Sequence, residues 1–162
     1  MTGDARLERF LAFSSAVTAF STLQLRGTGL AGQYLSTVDD VVGEDVTDSL
    51  LAAFAGAAQS ASDDPAALER LLRRDIFSDD KLGPVARSIL KLWYIGTWYE
   101  LPPAWTEAFG ARERNTTFVV SPAAYTEGLL WPAIGANPHG AKAPGYGSWA
   151  GPPQIPDVDA VL

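Results

Sequence analysis

The sequence predicts an all-α fold: an irregular helical domain carrying a long C-terminal arm rich in Pro, Gly and aromatic residues. Three observations carry this expectation. Apolar residues in the first hundred positions recur at spacings of three and four, as in Phe10, Phe13, Val17 and Phe20, which is the stripe of an amphipathic helix. Ordinary helix stops and starts separate these stripes, among them Gly27-Thr28-Gly29, Gly43 and Asp64-Pro65. Near residue 100 the periodicity ends, and nine of the 11 prolines lie from Leu101 onward. A chain of 162 residues suits one domain. It divides into a helical body over residues 1–100 and an arm over residues 101–162 that belongs to the same domain.

The first helix is expected from about Asp4 to Leu25, stopping at Gly27-Thr28-Gly29. A secretory signal would show a basic start and an unbroken apolar run. Here Asp4 and Glu8 offset Arg6 and Arg9, and Ser14, Ser15, Thr18, Ser21 and Thr22 interrupt the run, so a structural helix is the better account. The second helix, about Leu30 to Val41, ends at Gly43. The third, about Asp45 to Ala58, is rich in Ala and Leu, which favour helix. Ser62-Asp63-Asp64-Pro65 reads as a cap with Pro at the first helical position, opening a short helix through Arg74. Gly83-Pro84 opens another, about Val85 to Tyr99. Its Ile89, Leu90, Leu92, Trp93 and Ile95 leave little polar face, which places it centrally. In the arm one helix start stands out, Ser121 followed by Pro122, predicting a helix from 122 to about Trp131.

Composition excludes several functions. With no Cys there is no disulfide framework, thiolate zinc site or cysteine nucleophile, and a single His excludes a site needing two. A formal net charge of −7 repels phosphate backbones, so nucleic acid is a poor partner. No stretch reaches the roughly 18 apolar residues of a spanning helix, so direct membrane insertion is not expected.

The arm is unusual in another way. Beyond Asn115 it holds only four charged residues (Glu127, Lys142, Asp157 and Asp159), yet it carries Trp131 and Trp149 with Tyr125 and Tyr146 between its prolines. Disordered tails are charged and poor in aromatics; this one is expected to be ordered but irregular, laid over the helical body, over a partner, or over both. All five Trp lie after residue 92. Core filling is a fair account of Trp93, whereas Trp131 and Trp149 stand among Pro and Gly, and Trp and Tyr are enriched at protein–protein contacts.

Two motifs have sharper and plainer readings. Gly27-Thr28-Gly29-Leu30-Ala31-Gly32 fits G-x-G-x-x-G, but a dinucleotide loop needs a buried strand before it. The preceding Ser21-Thr22-Leu23-Gln24-Leu25-Arg26 is the tail of a helical stripe, so a glycine-broken turn between helices is the better account. His139, in Asn137-Pro138-His139-Gly140, is either a general base or a loop histidine that orders its turn.

Several runs then fall into a pattern. Ile89-Leu90-Lys91-Leu92-Trp93-Tyr94-Ile95-Gly96-Thr97-Trp98, Tyr125-Thr126-Glu127-Gly128-Leu129-Leu130-Trp131, Ile134-Gly135-Ala136-Asn137-Pro138-His139-Gly140, and Gly145-Tyr146-Gly147-Ser148-Trp149-Ala150 with Pro152-Pro153 together resemble the small subunit of FAD-dependent sorbitol dehydrogenases. The small subunits of fructose and glucose dehydrogenases are similar. The start, Phe10-Leu11-Ala12-Phe13-Ser14 through Tyr34-Leu35, resembles that family's first two helices. The resemblance implies a noncatalytic subunit that binds and stabilises a large GMC-type flavoprotein, assists its folding or maturation, and leaves FAD and sugar or polyol oxidation to that partner. No catalytic, cofactor-binding or metal-ligating residue is then expected on this chain. The partner interface is assigned to Trp93, Tyr94, Trp98, Tyr125, Trp131, His139, Tyr146 and Trp149.

Family members usually begin with a twin-arginine export signal, whereas here Met1 stands almost directly before the first helix. The expectation is a cytoplasmic complex, or a periplasmic one if the partner carries the signal or a leader has been removed. The family also more often has His-Pro where this chain reads Asn137-Pro138-His139-Gly140. Two other readings stay open: a self-associating module whose arm swaps onto a second copy, and a small enzyme using His139 as base with Glu127 or Asp157 assisting.

Overall fold

The computed structural model describes residues 3–110 and 112–141. Within them the chain is built almost wholly of helices, with one two-stranded ribbon, in agreement with the all-α prediction. Helix α1 (Gly3–Thr18) buries Phe10, Leu11 and Phe13, so the apolar stripe faces the core. It does not run on to Leu25. The Thr18 hydroxyl donates back to the Ser14 carbonyl at 2.8 Å, Ala19 adopts φ +63°, and Ser21 caps a separate helix α2 (Thr22–Gly27). Ser21 and Gln24 form a reciprocal capping box. That box satisfies two N–H groups that a continuous helix would otherwise leave to the ladder, and it wins over the apolar periodicity. Phe20, counted in the stripe, sits on the connection and meets Tyr94 edge-on at 6.2 Å.

Helices α3 (Ala31–Val42) and α4 (Glu44–Ala61) join at the buried Gly43, whose φ of +95° turns the chain. Helix α4 is longer than predicted at both ends and stops where Ser62 and Asp63 both take left-handed backbone. Asp64 then caps α5 (Pro65–Leu72), accepting from the Ala66 N–H at 2.9 Å as the sequence suggested. Where a helix to Arg74 was expected, α5 widens into a π-helical turn over Arg73–Phe77.

Helix α6 (Leu82–Ile95) begins before Val85 and ends before Tyr99. Gly96 stops it by taking φ +65°, the left-handed conformation that glycine adopts at little cost. Helix α6 packs on α1, α3 and α4 and carries the centre of the core. Trp93 is stacked with Phe10 at 6.3 Å and met edge-on by Tyr34 at 4.9 Å. Its indole N–H donates to Ser14 Oγ at 2.9 Å, giving a buried hydroxyl of α1 a specific role.

The arm is more articulated than the single helix predicted for it. Strand β1 (Thr97–Trp98) pairs antiparallel with β2 (Phe118–Val119), Thr97 opposite Val119 and Trp98 opposite Phe118. Between the strands lies α7 (Pro103–Phe109), with Pro at its start. Helix α8 (Pro122–Thr126) starts at Ser121-Pro122 as read, but it does not reach Trp131; α9 (Leu130–Ala133) follows after a break. Gly128 lies in the break, where the chain passes so close to α6 that a Cβ there would lie 2.8 Å from the Tyr94 carbonyl oxygen.

Candidate partner interface

The arm residues 120–129 are mounted on the C-terminal end of α6 by their backbone. The last carbonyls of a helix lack partners within it, and here the arm supplies two: Leu129 N–H donates to the Trp93 carbonyl at 2.9 Å and Val120 N–H to the Gly96 carbonyl at 3.0 Å. Gly96 makes the contact possible a second way, since a Cβ on it would sit 2.6 Å from the Ala124 carbonyl. Ser121 Oγ accepts from the Ala124 N–H at 3.2 Å and lies 3.0 Å from Gln33 Oε1 on α3, to which it donates.

Beyond this mount three of the assigned residues come together. Trp131 meets Tyr125 edge-on at 5.4 Å and donates its indole N–H to the Tyr125 carbonyl at 2.7 Å. His139 packs edge-on against Trp131, with the ring centres 6.2 Å apart. Aromatic rings prefer such edge contacts because a positive rim meets a negative face. Tyr125 is 39% exposed, so the cluster presents aromatic surface outward; Ile134, three residues beyond Trp131 in sequence, is 57% exposed. Tyr94 is half-buried and turns to the end of α1 instead, its hydroxyl donating to the Thr18 carbonyl at 3.0 Å and its ring meeting Phe20.

Trp93 and Trp98 are corrected as interface residues. Both are completely enclosed by this chain, Trp93 at 1% and Trp98 at 0% exposure, because the apolar face of α6 and the first arm strand fill the core rather than the surface. Tyr146 and Trp149 lie outside the described residues. Ile134 and the 60%-exposed Val119 are further exposed apolar residues outside that assignment. Sequence reasoning missed Gly96 and Gly128 as the mount, although a glycine directly after an apolar helical run is a readable stop signal.

A second fastening holds the loop after α7. Arg6 binds both oxygens of Asp39, with Nη2 to Oδ1 at 2.7 Å, and reaches Asp48 through Nε at 2.7 Å. The hydrogen bonds to Asp39 chiefly raise the Arg6 guanidinium pKa further above its ordinary range. On the same side of α3, Arg112 donates to the Asp39 carbonyl at 3.3 Å and Arg114 pairs with Asp40. Arg114 also lies 5.3 Å from the centroid of the Phe118 ring.

The glycine motif at Gly27–Gly32 is a link between helices. Gly27 closes α2, Gly29 turns at φ +71°, Gly32 lies inside α3, and helix rather than strand precedes it. The dinucleotide reading therefore lacks its scaffold. Among the described residues no group of three or more His, Asp or Glu is placed to hold a metal ion, and no helix is long and apolar enough to cross a membrane. Comparison with protein-family models, with curated proteins and with solved structures finds no match.

Proposed function

We propose that this chain is a noncatalytic subunit that docks onto and stabilises a large GMC-type FAD-dependent sugar or polyol dehydrogenase, with the arm as its contact surface. The observation that carries the reading is the Tyr125–Trp131–His139 cluster, an outward aromatic surface on a rigid mount. Large aromatic side chains held in place before binding lose little freedom on association, which is why they dominate binding energy. The identity of the partner rests on the resemblance of the arm and α6 runs to sorbitol dehydrogenase small subunits. FAD belongs to the partner in this reading, and this chain contributes surface rather than chemistry.

The test is a native pull-down with the chain tagged, reading the co-eluting protein by mass and the eluate by flavin absorbance. A stoichiometric flavoprotein is the expected result. Trp131→Ala is expected to weaken that association by about 2 kcal/mol, a hot-spot magnitude. A colourless protein eluting alone would overturn the reading, and turnover by the isolated chain that is lost in His139→Ala would replace it with the enzymatic one.

A further inference from the structure

Half of the chain's cations lie on one stretch. Residues 70–91 hold six of the 12 Lys and Arg against three acidic residues, in a chain whose net charge is −7. This stretch borders a groove of about 400 Å³ between the end of α1, α5, the π-turn and α6. Ala16, Val17, Leu72 and Phe77 give the groove its apolar lining, and Arg73 and Arg87 its charged edge, with Glu69 beside Arg73. A volume of this order is within the range of small-molecule sites.

Two local departures from regular geometry converge on the groove. The π-turn Arg73–Phe77 supplies Arg73 and Phe77, and such turns are frequent at functional sites. Gly83, in the first turn of α6, lets the end of that turn come close: a Cβ there would be 2.7 Å from the Phe77 carbonyl oxygen and 3.1 Å from Arg87 Nη1. Arg87 is consequently anchored by donating from Nη2 to the Phe77 carbonyl at 2.7 Å. A guanidinium has five N–H donors, so this anchor orders the group while leaving most of its donors for a ligand. Among the described residues Arg73 is paired with Glu69 one turn back, at 2.6 Å, and both are well exposed. Exposed pairs of this kind are weak and exchange readily for a better-placed anion.

We propose that this groove binds a small amphipathic carboxylate, its head group on Arg87 and Arg73 and its apolar chain along Val17, Leu72 and Phe77. In the groove's own lining Arg73 and Arg87 outnumber Glu69, a local positive excess that draws an anion to a molecule that otherwise repels it, and the apolar lining selects one with a hydrocarbon body. The site is separate from the aromatic surface, and the inference does not depend on the partner proposed above.

The test titrates the full chain with sodium hexanoate, octanoate and decanoate, each below its micellar concentration, while amide signals are followed by NMR. Saturable shifts are expected at Val17, along residues 72–77 and at Gly83 to Arg87, with affinity rising about two- to fourfold per added CH₂. Octanol is expected to bind at least tenfold more weakly than octanoate. Arg73→Gln, at an exposed position whose side chain makes only a weak surface pair with Glu69, is expected to weaken octanoate at least threefold. Arg87→Lys keeps the charge but not the fork, and is expected to weaken it less than Arg87→Gln. Absence of saturation, shifts centred elsewhere, equal affinity for octanoate and octanol, or indifference to Arg73→Gln and Arg87→Gln would each overturn the proposal.

Discussion

Between residues 3 and 95 the chain is held by side chains packed on one another, with Phe10, Phe13, Tyr34 and Phe54 gathered around α6 and its Trp93. Between residues 97 and 141 much of the fastening is backbone, concentrated where Gly96 and Gly128 let the chain touch α6. The body therefore depends on filled volume, whereas the arm adds to its own buried side chains, Trp98, Leu101 and Trp105 among them, a close backbone approach at two glycines. The two regions are expected to fail in different ways when altered.

Trp93→Ala is expected to have the largest effect, about 3–5 kcal/mol, because it empties a fully enclosed site and leaves Ser14 without its partner. It breaks the comparison by loosening both regions together, which denaturant unfolding followed by far-UV circular dichroism would register as one transition at lower midpoint. Survival of the full midpoint would show that the core is not centred on Trp93.

Gly96→Ala separates the regions. The left-handed backbone alone costs a residue with a Cβ about 1–2 kcal/mol, and the clash with Ala124 adds to it. The body is expected to keep its helical signal while the amides of Val120 and Leu129 lose their protection from hydrogen exchange. Equal loss of protection along α1 and α4 would mean that arm and body are one cooperative unit.

Tyr34→Phe sharpens the account of the body. The Tyr34 hydroxyl is buried with no hydrogen-bond partner among the described residues, and burial raises its pKa above the ordinary value of 10.0. Removing an unsatisfied hydroxyl is expected to raise stability by up to about 1 kcal/mol. The sign with pH follows from the same burial: the phenol ionises near 10 when unfolded but only at higher pH when folded, so stability is whole below 10 and falls as pH rises beyond it. Tyr34→Phe is expected to flatten that alkaline loss in thermal melts taken between pH 9 and 11. An unchanged slope would place the alkaline sensitivity elsewhere.

The smallest expected effect is a gain. Ala19 holds φ +63° between α1 and α2, and Ala19→Gly is expected to relieve about 0.5–1 kcal/mol of strain. A lower melting temperature in that variant would show that entropy lost on ordering glycine outweighs the strain.

The same contrast explains what could be read from sequence. In the body the spacing of Phe10, Phe13 and Val17 and the run around Trp93 report directly on burial, since a helix repeats its faces every three or four residues. The stop at Ser21-x-x-Gln24 was legible as a capping box but was masked by Phe20, which continued the stripe in sequence without continuing the helix. The π-turn at Arg73–Phe77 left no mark because one extra residue per turn is a response to packing, not a local preference. In the arm, Ser121-Pro122 announced α8, yet nothing local announced that residue 128 passes close to the Tyr94 carbonyl in the break before α9. Tyr125, Trp131 and His139 could be singled out by type; that they meet could not, because their meeting depends on this close passage.

The bonds from Leu129 and Val120 to the carbonyls of Trp93 and Gly96 also bear on the order in which the molecule is made. Synthesis runs from the N-terminus, so the four-helix assembly of α1, α3, α4 and α6 has its full sequence before residue 120 exists. Until then the tail of α6 is an open end, its carbonyls turned to solvent beside apolar surface that Ala124 and Leu129 later cover. The arm acts as a late closure of that end.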